Sequence, residues 1–159
     1  MAHLLIVHHS PTEKIHGMAQ TVIDAAQDAA EQVNAELPAD QHLRIIERDA
    51  LHPDADELAE ADAVLLGTTA NFGYISGALK HYFDSTYVQN RGVDKMFSYW
   101  IRGGYDTTGA EKAMESITTG FGWSRAAEPV TFTGEIEPHQ DELVALAQNT
   151  VGAWFASIG

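Results

Sequence analysis

The chain has no cysteine, which removes disulfides, thiolate nucleophiles and cysteine-ligated iron–sulfur clusters together. Any redox chemistry must then come from a bound cofactor. Basic residues are scarce as well: 9 Lys and Arg stand against 23 Asp and Glu, a formal net charge of -14 with histidine neutral. Such a surface repels a phosphate backbone, so nucleic acid is not an expected partner. No apolar run approaches the roughly 18 residues needed to cross a bilayer, and Met1-Ala2-His3-Leu4 opens the sequence without a charged leader before a long apolar region. A cytoplasmic protein that stays out of the membrane is the expectation. Several familiar motifs are also missing: there is no G-x-S-x-G nucleophile elbow, no Walker sequence and no G-x-G-x-x-G.

What is present is an alternation of strand-like and helix-like stretches, without repeats or linkers, along a length of 159 residues that suits one domain spanning 1–159. Strands are expected near 3–9, 43–48, 63–67, 96–102 and 129–132. Between the first two, Ile15, Met18, Ala19, Val22, Ala26, Ala29 and Val33 recur at steps of three and four and predict a long amphipathic helix. A last helix carries Leu143, Leu146, Ala147, Val151, Trp154 and Phe155 on a similar stripe, with Asp141 and Glu142 in its first turn. Right-handed crossovers then predict an α/β fold of three layers, a doubly wound five-stranded parallel sheet in the order 2-1-3-4-5. Trp100, inside a strand, and Trp154, on a helix stripe, belong to the core on this reading; Trp123 is undecided. Seven carboxylates between Glu47 and Asp62 read as a solubilising surface or as a dock for a basic partner.

In such a sheet, ligands bind outside the carboxyl ends of the strands, where three loops converge. The first, Ser10 to Gly17, offers Ser10, Thr12, His16 and Gly17 ahead of a helix; hydroxyls and free amides at a helix N-terminus cradle a phosphate. The same residues also read as a capping box, with Ser10 as N-cap, Pro11 at the first helical position and Glu13 reaching back, which would consume amides that a phosphate needs. His8, His9 and His16 lie close in sequence, but no acidic residue falls at a metal-ligand spacing, so no metal site is expected; phosphate hydrogen bonding or simple exposure accounts for them. The second loop, 68–76, leaves an apolar strand through small and aromatic residues and enters a helix capped by Ser76, whose apolar side is Leu79, Tyr82 and Phe83. It reads either as a holder for a flat ligand or as a long turn whose Phe72 and Tyr74 fold back onto the core. The third, Gly103 to Gly109, lets backbone approach a planar ring at Gly103 and Gly104, with Tyr105 placed to stack or seal. Its far end, Thr108 to Glu111, is again a capping box.

The run Gly67-Thr68-Thr69-Ala70-Asn71-Phe72-Gly73-Tyr74, leading into Ser76-Gly77-Ala78-Leu79-Lys80-His81-Tyr82-Phe83-Asp84, resembles the G-T-P-x-x-x-G-x-x-S-x-x-L-K-x-F-x-D pattern of flavodoxin-like FMN proteins, in the branch of NAD(P)H-dependent FMN and quinone reductases. The resemblance extends over the whole chain. It departs from the pattern in two respects: Glu13 and Lys14 occupy the middle of the phosphate loop, and Thr69 stands in place of the proline. The resemblance implies an FMN whose phosphate is held by Ser10, Thr12, Ile15 through its backbone, His16 and Gly17. Flavin contacts fall to Thr69, Ala70, Asn71, Phe72 and Gly73, and a third wall to Gly103, Gly104 and Tyr105. It further implies that NADPH or NADH reduces the flavin, which in turn reduces a quinone or another small-molecule acceptor, with no protein side chain acting as catalytic acid or base. A homo-oligomer is a further implication, with Lys80, Tyr82 and the segment 87–91 as candidates for its interface or for the acceptor pocket. Two alternatives stand beside this reading: a flavodoxin-type electron carrier without turnover of its own, and a flavodoxin-like binding module that has lost FMN.

Overall fold

A computed structural model describes all 159 residues, Met1–Gly159. The chain runs β1 (Ala2–His8), α1 (Glu13–Asn34), β2 (Leu43–Asp49), α2 (Ala55–Glu60), β3 (Ala63–Asn71), β4 (Tyr74–Ile75), α3 (Gly77–Asn90), β5 (Met96–Gly103), α4 (Thr108–Phe121), β6 (Ser124–Arg125), β7 (Val130–Thr133) and α5 (Gln140–Ile158). The sheet follows β2-β1-β3-β5, and both β6 and β7 pair with the outer side of β5. All of these pairs are parallel. With β6 and β7 counted as one interrupted edge strand, the order is the expected 2-1-3-4-5. The interruption has a local cause. Pro129 has no N–H to give the ladder, and across the gap Ala126 N–H donates to Phe97 O at 2.8 Å while the Ser98 hydroxyl donates to Ala127 O at 2.8 Å.

Helices cover both faces because the central strands are apolar on both. Leu4, Ile6, Leu65 and Trp100 pack against the stripes of α1 and α5; Leu5, Val7, Leu66, Tyr99 and Ile101 pack against α3 and α4. Trp100 and Trp154 are core residues as expected, and Trp123, left open by the sequence, is buried too. Ser76 caps α3 as predicted, its hydroxyl accepting from Leu79 N–H at 3.1 Å, with Leu79, Tyr82 and Phe83 buried. That burial excludes Tyr82 from any interface or acceptor pocket.

Three boundaries differ from the sequence reading. The first helix starts at Glu13, so Gly17 and His16 are helical and the loop before them is only 9–12. Thr12, extended at φ -125 and ψ 159, is the N-cap, its hydroxyl accepting from Ile15 N–H. The capping box on Ser10 does not form, because the Ser10 hydroxyl is engaged with His8 instead. Helix α4, in contrast, is capped one residue earlier than expected: Thr107 is its N-cap and donates to Glu111 Oε2 at 2.8 Å, while Asp106 Oδ1 accepts from Thr108 N–H and hydroxyl. The largest difference lies at β3, which does not end at Gly67 but continues to Asn71.

Candidate functional site

Past Gly67, the backbone of β3 has partners on both sides. Thr68, Thr69 and Ala70 stay in register with Ile101, Arg102 and Gly103 of β5, and Ala70 and Asn71 pair antiparallel with Ile75 and Tyr74. The expected wide loop is therefore a hairpin whose two turn residues, Phe72 at φ 51 and Gly73 at φ 76, both take positive φ, as a type I′ turn requires. Glycine adopts that conformation freely; phenylalanine does not, at a cost of about 1 kcal/mol or more. The strained Phe72 is also fully exposed, at 109% of its reference area. It does not fold back onto the core. Tyr74 is 42% exposed, and inside the hairpin Thr69 donates its hydroxyl to Asn71 Oδ1 at 2.9 Å.

Opposite the hairpin tip lies the loop after β5, with Tyr105 92% exposed. Ala70, Phe72 and Gly73 on one side and Gly104, Tyr105 and Asp106 on the other enclose a cleft of about 490 Å³. A volume of this order is typical of small-molecule sites, and nothing stands within 4 Å of a Cβ built on Gly104. Gly103, by contrast, is a packing residue: its Cβ would come within 3.1 Å of Thr107 Cγ2 and 3.2 Å of Ala70 Cβ. The Asp106 carboxyl is held below the usual carboxylate range by the bonds from the Thr108 N–H and hydroxyl, so the rim of the cleft carries a negative charge. Of the second- and third-loop candidates, Ala70, Phe72, Gly73, Gly104 and Tyr105 line the cleft, while Thr69, Asn71 and Gly103 build the elements that carry it.

The first loop does not line this cleft. It emerges from β1, next to β3 at the same edge of the sheet, where His8 and Gly67 are paired in register. Ile15 N–H is taken by the Thr12 hydroxyl at 3.3 Å and His16 N–H by Thr12 O at 2.9 Å. The backbone contact expected of Ile15 is therefore spent on the cap. Glu13 N–H and Lys14 N–H keep no partner within the chain and face the positive end of α1. Gly17, in the second turn, offers no amide to this end, and the His16 side chain is exposed on the first turn. Substituting Thr12 with alanine is expected to cost about 1 kcal/mol through loss of the cap, and so to lower the melting temperature by roughly 2–4 °C in a chain of this size; a thermal melt reads this directly.

The sequence reading missed two features of this edge of the sheet. His8 is not exposed: it is 6% accessible, with Nε2 2.7 Å from Glu47 Oε2 and Nδ1 2.8 Å from Ser10 Oγ. Gly109 is the other, since its Cβ would fall 1.9 Å from Gly73 O, so the hairpin tip rests on the first turn of α4. A His-x-Ser spacing and one more glycine carry no signal by themselves.

Comparison with known proteins agrees with the fold. No protein-family model matches the chain. Over 132 residues it is 28% identical to a protein of Geotalea daltonii named NAD(P)H dehydrogenase (quinone), covering 73% of this chain and 64% of that one. A protein of the same name from Geobacter sulfurreducens is 31% identical over 96 residues, covering 52% of this chain and 47% of that one. The chain thus spans between about half and two thirds of the length of these relatives. Among solved structures, a short-chain flavodoxin associated with a bacterial microcompartment superposes with a TM-score of 0.73 at 16% identity, covering 97% of this chain and 99% of that one. The chain has the flavodoxin-like fold, and its sequence likeness runs to proteins named NAD(P)H dehydrogenase (quinone).

Proposed function

We propose that the protein is an FMN-binding oxidoreductase that uses NADPH or NADH to reduce a quinone or another small acceptor. The observation that carries this reading is the cleft between Phe72 and Tyr105: a strained, fully exposed aromatic and a second exposed aromatic line one space whose remaining walls include the side-chain-free Gly73 and Gly104. Strain at an exposed side chain persists where it serves a ligand. The names of the curated relatives support the same activity.

The residues present fit the cofactor. Phe72, Gly73, Gly104 and Tyr105 would hold the isoalloxazine ring by stacking and by backbone contact, and the Ser10 hydroxyl with Glu13 N–H and Lys14 N–H would hold the phosphate at the N-terminus of α1. A bound flavin supplies hydride acceptance from a reduced nicotinamide and electron delivery to the acceptor. The chain contributes binding and orientation.

Titrating FMN with the purified, cofactor-free protein is expected to quench its fluorescence saturably in the micromolar range or below, and the loaded protein is expected to oxidise NADPH or NADH faster when a quinone is added. Absence of saturable quenching sinks the flavin reading. The acidic surface, -14 overall, favours a second reading as an electron carrier docking a basic reductase. That reading takes over if FMN binds but nicotinamide oxidation needs a partner enzyme and slows with salt.

A further inference from the structure

Between the apolar strand β1 and the N-terminus of α1 lies a chain of three polar side chains, of which the flavin reading uses only the Ser10 hydroxyl. His8 occupies the strand position where Leu4 and Ile6 would be followed by another apolar residue on the α1 face, and it is buried there. Burying an imidazole costs stability unless both ring nitrogens are satisfied. They are, by Glu47 of β2 on one side and Ser10 on the other. From this geometry we infer that Glu47, His8 and Ser10 form a proton relay, which turns the Ser10 hydroxyl into a donor when a phosphate monoester binds and so takes up the dianion together with one proton. This rests on the first loop being the phosphate site.

The hydrogen positions follow from the acceptors. A carboxylate can only accept, so at 2.7 Å from Glu47 Oε2 the His8 Nε2 carries a proton. In the neutral ring Nδ1 is then a lone pair, and the Ser10 hydroxyl donates to it across 2.8 Å. In that state the Ser10 oxygen turns only lone pairs toward the front of α1. A phosphate dianion also offers only lone pairs, so the two oxygens repel. One proton from solvent, placed on Nδ1, reverses the bond: the ring donates to Ser10 Oγ, and the hydroxyl hydrogen is free to bond a phosphate oxygen. The imidazolium then lies between the Glu47 carboxylate and the phosphate, and the proton returns to solvent when the ligand leaves. No other charged side chain competes for the ring. Trp100 of β5 sits 6.2 Å away between centroids and is uncharged, His9 is engaged by Asp49 at 3.3 Å, and Lys14 of α1 is drawn to Glu135 at 3.5 Å.

The test is calorimetric titration of the whole chain with FMN and with riboflavin at pH 8, where a phosphate monoester, whose second ionisation is near pH 6, arrives as the dianion. Each titration is run in two buffers of different ionisation enthalpy to count protons. FMN is expected to bind with uptake of about one proton and riboflavin with none. His8→Gln and Ser10→Ala should abolish the uptake and weaken FMN roughly tenfold, the loss of one hydrogen bond to a charged group, while riboflavin affinity stays put. Should either variant fail to fold, the difference in proton count between FMN and riboflavin on the native chain decides alone. FMN binding without proton uptake, or uptake that survives in His8→Gln, overturns the relay and leaves the flavin site standing. Failure of FMN to bind the native chain overturns the flavin site and the relay together.

Discussion

Replacing Gly67 with alanine is expected to cost about 3 kcal/mol of folding stability, which corresponds to a fall in melting temperature of roughly 6–12 °C for a chain of this size. A Cβ at this position would lie 2.0 Å from Cζ2 and 2.2 Å from Cε2 of Trp100, both ring atoms of a side chain only 1% exposed. The indole cannot step aside, since it is wedged in the core between the sheet and the helices α1 and α5. Overpacking of this kind forces a buried ring off its rotamer or pushes neighbouring strands apart. Gly67 and Trp100 are partners across β3 and β5, so the two positions should behave as a unit. Trp100→Leu alone leaves a cavity and destabilises, but in the double variant the smaller side chain makes room for the new methyl. The combined loss should fall short of the sum by roughly 1–3 kcal/mol. Strict additivity in that cycle would show that Gly67 is not there to accommodate the indole.

The second large effect falls on the site rather than on the fold. In Gly109→Ala the new methyl would meet the Gly73 carbonyl oxygen at 1.9 Å and its carbon at 3.0 Å. Both are backbone atoms, so either the tip of the hairpin or the first turn of α4 must move by more than 1 Å, roughly the gap between that distance and ordinary van der Waals contact. Gly109 lies in the first turn of α4, so better helix propensity offsets little of the strain. The melting temperature is therefore expected to fall, by less than in Gly67→Ala because the hairpin tip that must yield is exposed rather than part of the core. Flavin affinity is expected to fall by at least roughly tenfold, because Phe72 and Gly73 form one wall of the cleft and Gly104 and Tyr105 the other, and a site loses its grip when its walls are displaced by an ångström. Fluorescence titration beside a thermal melt separates the two effects. Unchanged affinity would show that the hairpin tip does not border the flavin.

Much of the architecture was legible because its signals are local. The stripe from Ile15 to Val33 marks α1, Ser76 marks the start of α3, and short apolar runs mark the five parallel strands. These features act over three or four residues of chain and read the same before and after folding. Where two local signals competed, sequence misjudged the winner: at the first loop Ser10 and Thr12 both suit an N-cap, and Ser10 lost because His8 claimed its hydroxyl. At β3 the run of small residues suggested a loop, whereas pairing with β5 and with Tyr74 and Ile75 extended the strand. Nothing within the run itself announces partners 30 residues away.

By itself, then, the sequence determined the layers, the strand order and the three loops gathered at one edge, since periodicity and connection handedness suffice for these; that Phe72 and Tyr105 border the cleft while Tyr74 does not was decided by the tertiary structure. Tertiary structure alone decided the chemistry of their details. The parallel register of β1 with β2, which sets His8 against Asp49 and Ile6 against Glu47, carries a carboxylate 39 residues away onto a buried imidazole. The register of β3 with β5 likewise sets Gly67 beneath Trp100, and the seat of α4 brings Gly109 onto Gly73. Register is fixed by the burial of whole strands rather than by any single residue, so the contacts it creates between distant side chains exist only once the sheet has formed.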